Sequence, residues 1–156
     1  MNSTITLLFS TLLALVLGVA ILIYFDEGTL FLATLLLSVI AIKIINAKMQ
    51  KDSDFSTSTL FISKFSGLWF ALSIAPAFGV SQMDIFLFEN GFFIQTILSL
   101  GFFIFFYRSK LSMIGRIQRN VKGGVGVIAS SILAGAAAGI SSSSLWQGYI
   151  YISSLL

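Results

Sequence analysis

The stretch that decides the fold runs from Phe105 to Gly139 and reads FFYRSKLSMIGRIQRNVKGGVGVIASSILAGAAAG. It joins an apolar segment to a cationic one, passes a glycine cluster, and enters a second apolar segment rich in small residues. Five of the nine Lys and Arg residues of the chain lie in this stretch. Positive charge held between two apolar segments predicts contact with an anionic surface.

The cationic part of this stretch predicts an amphipathic helix. At about 100° per residue, its apolar residues share one helical face and most of its cations share the other. That pattern is typical of a helix lying in a membrane surface. Lys110 is the exception, because it projects toward the apolar side. The apolar face is formed by Leu111, Ile114, Ile117 and Val121, and the cationic face by Arg108, Arg116, Arg119 and Lys122.

The glycine cluster follows directly, with Gly123, Gly124 and Gly126 at the predicted start of the next helix. Glycines allow backbone amides to approach a ligand closely, and the N-terminal end of a helix favours anions. A flexible turn beside a basic loop that only fixes the membrane topology explains the same residues. Both interpretations stay open at this point.

Composition indicates the class of protein. A chain of 156 residues that is 57% hydrophobic and only 10% charged cannot hide its apolar surface in one soluble core. We therefore expect an integral membrane protein. Cys and His are absent, which excludes disulfides, thiolate catalysis and imidazole chemistry. The net charge of +3 is typical of cytoplasmic anchoring residues, and no nucleic-acid partner is expected.

The apolar segments predict an all-α, polytopic bundle with about four to five transmembrane helices and the cytoplasmic amphipathic helix. The bundle is expected to form a single domain over residues 1–156. The N-terminus lacks the positive region of a cleaved signal peptide, so we expect it to be retained. The block from Val125 onward is either one long helix or a span with an interfacial piece. The other predicted spans are Ile5 to Phe25, Thr29 to Ile45, Leu60 to Val80 and Gly91 to Tyr107.

The charges of the connecting loops predict the orientation. The loops after the first and third spans carry Asp26, Glu27, Asp84 and Glu89 but neither Lys nor Arg. The loops after the second and fourth spans carry nearly all the cations. Cytoplasmic loops of membrane proteins are enriched in Lys and Arg, so the N-terminus is predicted to be cytoplasmic. Lys64 then lies near the cytoplasmic headgroups.

Small residues in the last apolar block predict a close helix contact. Gly135 and Gly139 stand four residues apart among alanines, a spacing that lets two helices touch backbone to backbone. Contact within one chain is the expected use. A homo-oligomer formed through these two glycines is the alternative.

The run from Lys110 to Gly139 resembles the C-terminal signature of the phosphatidylglycerophosphatase A family, membrane phosphatases that remove the terminal phosphate of phosphatidylglycerophosphate. In the family's pattern a Phe-Asp precedes a Lys-Pro, and a Gly-Gly-x-Gly is followed by an Asp-Asp and an Ala-Gly. Upstream, SKFSGLWFALSIAP is similar to the family's Asp-Glu-x-x-Gly-x-Trp segment. The resemblance covers roughly residues 45–140. The matching residues are Gly67, Trp69, Phe106, Lys110, Gly123, Gly124, Gly126, Ala134 and Gly135.

The chain departs from the family's pattern at every acidic position. Ser63 and Lys64 stand where the pattern has its Asp-Glu. Tyr107 stands where the pattern has the Asp of Phe-Asp, and Ser130 and Ser131 replace its Asp-Asp. The scaffold residues are kept although the acids are lost.

Two further positions differ. Leu111 replaces the proline of the family's Lys-Pro, and the family's N-terminal loop, rich in Pro, Gly and Thr, has no counterpart between Phe9 and Leu15. The resemblance implies a Mg²⁺-dependent enzyme of the bacterial cytoplasmic membrane. A serine hydroxyl cannot supply the charge of a carboxylate, and Lys64 would repel a divalent cation. We therefore expect neither a bound metal nor Mg²⁺-dependent phosphate hydrolysis.

The leading interpretation is a catalytically inactive membrane protein that binds anionic phospholipid headgroups or has a structural role. The residues expected to bind phosphate are Lys64, Lys110, Lys122, Gly123 and Gly124.

An active lipid phosphatase stays open as the alternative. It would produce phosphatidylglycerol by using other residues, such as Lys64 activating Ser130 or Ser131, or by taking carboxylates from a partner chain. Loss of the acids by natural drift and by deliberate alteration are both compatible with the sequence.

The topology is directly testable, because the chain has no cysteine of its own. Single cysteines placed at Gln50 and Gln118 are expected to be protected from an impermeant thiol reagent added outside intact cells. Both cysteines should react with the reagent once the membrane is permeabilised. Labelling of either position in intact cells would contradict the predicted orientation.

Overall fold

The structure is a computed structural model that describes residues 3–51, 57–77, 90–109 and 112–156. The regular secondary structure of these residues is entirely α-helical, which confirms the predicted all-α class. Six helices are described: α1 (Ser3–Tyr24), α2 (Glu27–Lys51), α3 (Thr57–Ala77), α4 (Asn90–Ser109), α5 (Ser112–Asn120) and α6 (Gly124–Leu155).

The apolar helices make this chain a membrane protein. Two segments of the described residues, Glu27–Gln50 and Gly124–Leu155, are long and apolar enough to cross a membrane. A third span is obtained if α4 and α5, which are bent by 56° relative to each other, are counted together. Shorter apolar segments lie at Leu8–Tyr24 and Thr59–Ile74. The described helices thus support two to three spans, and the expected four to five stay a prediction.

Both ends of α2 differ from the sequence-based boundaries. At its start, the Asp26 carboxylate accepts a hydrogen bond of 2.6 Å from the backbone N–H of Thr29, which caps the helix. Hydrogen bonds from the Thr29 side chain and backbone also lower the pKa of the Asp26 carboxyl. At its end, α2 continues to Lys51 although a polar loop was expected from Asn46. The residues after Asn46 are good helix formers, so leaving the membrane does not require the helix to end.

The last apolar block is one helix, α6, of 32 residues. At 1.5 Å per residue it is about 48 Å long, compared with about 30 Å for a hydrocarbon core. The interfacial piece considered from the sequence is therefore a continuation of α6. The C-terminal turns of α6 are exposed, including Tyr149, Tyr151 and Leu155.

The centre of the bundle is the contact between α3 and α6. A Cβ on Gly135 would clash with the carbonyl oxygen of Gly67, and one on Gly139 would lie 2.9 Å from the carbonyl oxygen of Ala71. Glycine therefore allows the two backbones to touch, as expected from the spacing of small residues. These contacts occupy Gly135 and Gly139 within the chain. Association of two copies through the same glycines stays a prediction.

Helix α1 is held against α3 by Trp69. The indole Nε1 donates a hydrogen bond of 2.8 Å to the carbonyl oxygen of Ala14. One turn later, a Cβ on Gly18 would lie 2.9 Å from a methyl group of Leu72 and 3.1 Å from the Trp69 ring. The order of these contacts shows that α1 and α3 run in the same direction.

Helix α5 has the two faces predicted for it, but its apolar face contacts protein. Ile114 is buried in the main hydrophobic core, whereas Arg116 and Arg119 are exposed. The helix contacts α6. It ends at Asn120, so Val121 lies beyond it and is 39% exposed. Part of the face predicted to lie on the membrane surface is thus used in packing.

Substituting Gly135 tests the central contact. Gly135→Ala is expected to destabilise the protein by about 1–3 kcal/mol, because the new methyl group displaces α3 from α6. The matched control is Gly101→Ala, since a Cβ there would meet no atom within 4 Å. The control should be neutral or slightly stabilising, because alanine favours helix over glycine. Thermal unfolding in detergent measures both, and equal stability of the two variants would contradict the proposed contact.

Candidate functional site

Three of the positions that depart from the family's pattern meet where α3, α4 and α6 come together. Ser63 of α3 places its Oγ 3.3 Å from the phenolic oxygen of Tyr107 on α4. Ser131 of α6 lies beside the same phenolic oxygen. Ser63 and Ser131 are completely buried. Residues from three different helices thus form one hydroxyl cluster, made of Ser63, Tyr107 and Ser131.

The hydrogen-bond direction within the hydroxyl cluster follows from the number of protons. The Ser63 hydroxyl donates to the carbonyl oxygen of Leu60 at 3.1 Å. A serine hydroxyl carries one hydrogen, so Ser63 accepts at the second contact and Tyr107 donates to it. The hydrogens of Ser63 and Tyr107 are therefore both committed.

The Ser131 hydroxyl is different, because its Oγ makes no hydrogen bond of acceptable geometry to any described residue. Ser131 is completely buried, and a buried polar group left without a partner costs about 1–3 kcal/mol. Such groups are rare in folded proteins and often mark a place where a water molecule or a ligand binds. The neighbouring Ser130 points elsewhere, since its hydroxyl donates to the carbonyl oxygen of Val127 at 2.8 Å.

Lys64 adds a positive charge at the edge of the hydroxyl cluster. Its Nζ lies 5.3 Å from the centre of the Tyr107 ring, which is a cation–π contact. The ring is neutral, so this contact supplies no counter-ion, and Asp52 and Asp54 lie outside the described residues. The sequence contains no Asp or Glu from 55 to 83 or after Glu89. Within the described residues Lys64 forms no hydrogen bond to Ser130 or Ser131, so no Ser-Lys pair is present there.

The acidic residues at the start of α2 lie at the far end of the bundle. Gly18 of α1 contacts Leu72 of α3, and both helices run in the same direction. At 1.5 Å per residue from that contact, Asp26 and Ser63 are about 25 Å apart along the bundle axis. Asp26 therefore cannot compensate the charge of Lys64 directly.

The glycine cluster forms a second and separate feature. Gly123 has a φ of 83°, a conformation that favours glycine, and leads into α6. The backbone N–H of Gly124 donates a hydrogen bond of 2.7 Å to Oδ1 of Asn46 on α2. Asn46 thus accepts the hydrogen bond of one of the backbone amides that were expected, from the sequence, to bind an anion. Ser131 lies seven residues further along α6, about 10 Å away.

The remaining residues predicted to bind phosphate are placed as follows. Lys122 is exposed at the end of the segment between α5 and α6. Lys110 lies outside the described residues. The structure therefore brings Lys64 to the hydroxyl cluster and Lys122 to the glycine cluster.

A polar stripe on α4 was missed by the sequence reasoning. Gln95, Ser99, Phe103 and Tyr107 recur at every fourth residue and so share one face of α4. This face contacts α6 through a bond of 2.8 Å between Ser99 and Ser142, and through Gln95 donating to Ser143 at 3.5 Å. The buried Phe103 ring separates these bonds from the hydroxyl cluster, because it packs over Gly67. The recurrence of polar residues at intervals of four was the feature of the sequence that could have predicted this face.

The hydroxyl cluster does not fit a magnesium ion. Mg²⁺ prefers carboxylate and phosphate oxygens in near-octahedral geometry, whereas the groups here are neutral hydroxyls beside an ammonium. In the part of the chain that the structure describes, no group of three or more His, Cys, Asp or Glu residues is placed to hold a metal ion. We therefore derive no reaction step through a metal at this cluster.

The family assignment follows from comparison with known proteins. The sequence model of the phosphatidylglycerophosphatase A family matches residues 1–145. The chain belongs to this family. None of the curated proteins matches the chain, and no solved structure matches it either.

The structure explains why residues of the family's pattern are kept here without the acids. Gly67 and Gly135 allow α3 and α6 to touch, and Trp69 ties α1 to α3. These contacts hold the helices of this chain together whatever chemistry the site performs. The acidic positions carry no such packing requirement, since hydroxyls and a lysine are accommodated there.

The hydrogen bond between α2 and α6 gives a further test. Asn46→Ala removes the acceptor of the Gly124 amide and is expected to destabilise the protein by about 1 kcal/mol. Asn120→Ala is the matched control, because Asn120 is exposed at the end of α5. Thermal unfolding of both variants measures the effect. An unchanged melting temperature for Asn46→Ala would show that this bond does not hold α2 to α6.

Proposed function

We propose that this member of the phosphatidylglycerophosphatase A family does not hydrolyse phosphate esters and instead binds an anionic phospholipid headgroup. Binding would occur from the cytoplasmic side of a bacterial cytoplasmic membrane. The observation that carries the proposal is the hydrogen bond between Ser63 and Tyr107. It stands where the family's pattern places carboxylates.

The absence of hydrolysis is supported by the chemistry of the cluster. Metal-assisted phosphate hydrolysis needs anionic oxygens to hold the ion and to position water. At the five matched positions the chain offers three serines, a tyrosine and a lysine. A lysine beside neutral hydroxyls attracts anions and repels divalent cations.

Headgroup binding is supported by the distribution of charge. The hydrogen bond between Asn46 and Gly124 places the end of α2 beside the start of α6. The cations of both regions therefore lie at one end of the bundle, where each contributes about 1 kcal/mol of attraction to an anionic membrane surface. The exposed cations of this end include Lys48, Arg116, Arg119 and Lys122. Cations that only follow the positive-inside rule would give the same general attraction, but without dependence on Lys64.

A phosphatase assay tests the proposal against the enzymatic alternative. Purified protein with phosphatidylglycerophosphate and Mg²⁺ is expected to release no phosphate above background. Restoring the family's acids at Ser63, Lys64, Tyr107, Ser130 and Ser131 is expected not to restore full activity, because the N-terminal loop also differs.

Two results would contradict this expectation. Phosphate release that disappears with EDTA would show a metal-dependent enzyme that uses other carboxylates. Release that resists EDTA but is lost in Lys64→Gln would show a metal-independent reaction at the cluster. A family member that retains all the acids serves as the positive control for the assay.

A further inference from the structure

Two hydrogen-bond donors at the hydroxyl cluster have no acceptor among the described residues. One is the ammonium of Lys64, whose only described contact is the face of the Tyr107 ring. The other is the Ser131 hydroxyl, which is buried beside the Tyr107 phenolic oxygen but makes no well-aligned hydrogen bond to a described residue. The hydrogens of Ser63 and Tyr107 are already used. Among the described residues, neither donor therefore meets an acceptor with negative charge.

The position of Lys64 suits a headgroup. Lys64 lies seven residues into α3, about 10 Å along the helix axis from Thr57. A lysine at this depth extends its ammonium toward the interface along its apolar stem. It is half-buried, so its charge is only partly solvated. A lipid phosphate at the membrane surface is an anion of suitable charge and height for such a group.

The charge at the cluster also selects the kind of phosphate. Lys64 supplies one positive charge, and Ser131 and Tyr107 supply none. A phosphodiester carries one negative charge, whereas a phosphomonoester carries about 1.5 to 2 at pH 7. A monoester would leave excess negative charge in a partly desolvated place, which is unfavourable. A phosphodiester and the Lys64 ammonium together carry no net charge.

Building on the proposed function, we infer that the Lys64 ammonium takes the place of a metal ion and that the cluster binds a phosphodiester headgroup in preference to a phosphomonoester. The Ser131 hydroxyl donates the second hydrogen bond to a phosphate oxygen. Binding needs no divalent cation. The protein thus retains a lipid of the phosphatidylglycerol kind and discriminates against the terminal monoester that the family's pattern is built to hydrolyse.

Native mass spectrometry of the full chain in detergent with EDTA tests the inference. The probes are short-chain phosphatidylglycerol, phosphatidic acid and phosphatidylcholine, which represent a diester anion, a monoester anion and a zwitterion. Phosphatidylglycerol is expected to bind about fivefold or more tightly than phosphatidic acid. Adding Mg²⁺ should leave phosphatidylglycerol binding unchanged.

Variants separate the cluster from general surface charge. Lys64→Gln is expected to weaken phosphatidylglycerol binding about fivefold, whereas Arg116→Gln, which removes an exposed cation of α5, should have little effect. Lys64→Arg keeps the charge and should keep most of the binding, which excludes a folding defect as the cause. Ser131→Ala should weaken binding without loss of stability, because it removes a buried hydroxyl that has no partner.

The outcomes distinguish this inference from the proposed function. Phosphatidic acid bound as tightly as phosphatidylglycerol overturns the diester preference, while binding of both above phosphatidylcholine still supports the proposed function. A requirement for Mg²⁺ overturns the role of Lys64 as the cation. Equal losses in Lys64→Gln and Arg116→Gln overturn the cluster as the site. Anionic lipids that bind no better than phosphatidylcholine overturn both proposals.

Discussion

The close contact of α3 with α6 is the constraint on which the rest of the structure depends. Gly67 and Gly135 allow the two backbones to touch, so the side chains one turn away are brought together as well. Ser63 of α3 and Ser131 of α6 each lie one turn before this crossing, and α4 adds Tyr107 beside them. A larger residue at the crossing would separate α3 from α6 and open the cluster. The scaffold glycines therefore position the site without taking part in its chemistry.

The positions that converge at the cluster carry no negative charge in this chain. Three positions that are acidic in the family's pattern lie together here as hydroxyls, and a hydrogen bond between two of them joins α3 to α4. Neutral hydroxyls can face one another at short distance, whereas carboxylates need a cation between them. The ammonium of Lys64 then makes the surroundings positive. Positive charge beside neutral hydroxyls is the basis of the proposed preference for phosphate over Mg²⁺.

The sequence predicted those features that depend on residue pattern. Apolar length predicted the helices, and the four-residue spacing of Gly135 and Gly139 predicted a close helix contact within the chain, whose partner the structure identifies as α3. Features that depend on partners distant in the chain were not predictable. Asn46 reads as the first residue of a polar loop, yet it accepts a hydrogen bond from Gly124, 78 positions away. Likewise, the sequence places Ser130 and Ser131 side by side, and only the orientation of α6 decides that Ser131 faces Tyr107 while Ser130 bonds to its own helix.

The central claim, that hydroxyls from α3 and α4 replace carboxylates by bonding to each other, is tested most directly by a double-mutant cycle. Ser63→Ala and Tyr107→Phe each remove one hydroxyl with little change in shape, and thermal or denaturant unfolding gives the stability of both single variants and the double variant. The account predicts a coupling energy of about 0.5–1.5 kcal/mol between the two positions. Strictly additive effects would contradict it, because they would mean that the two hydroxyls do not interact in the folded protein.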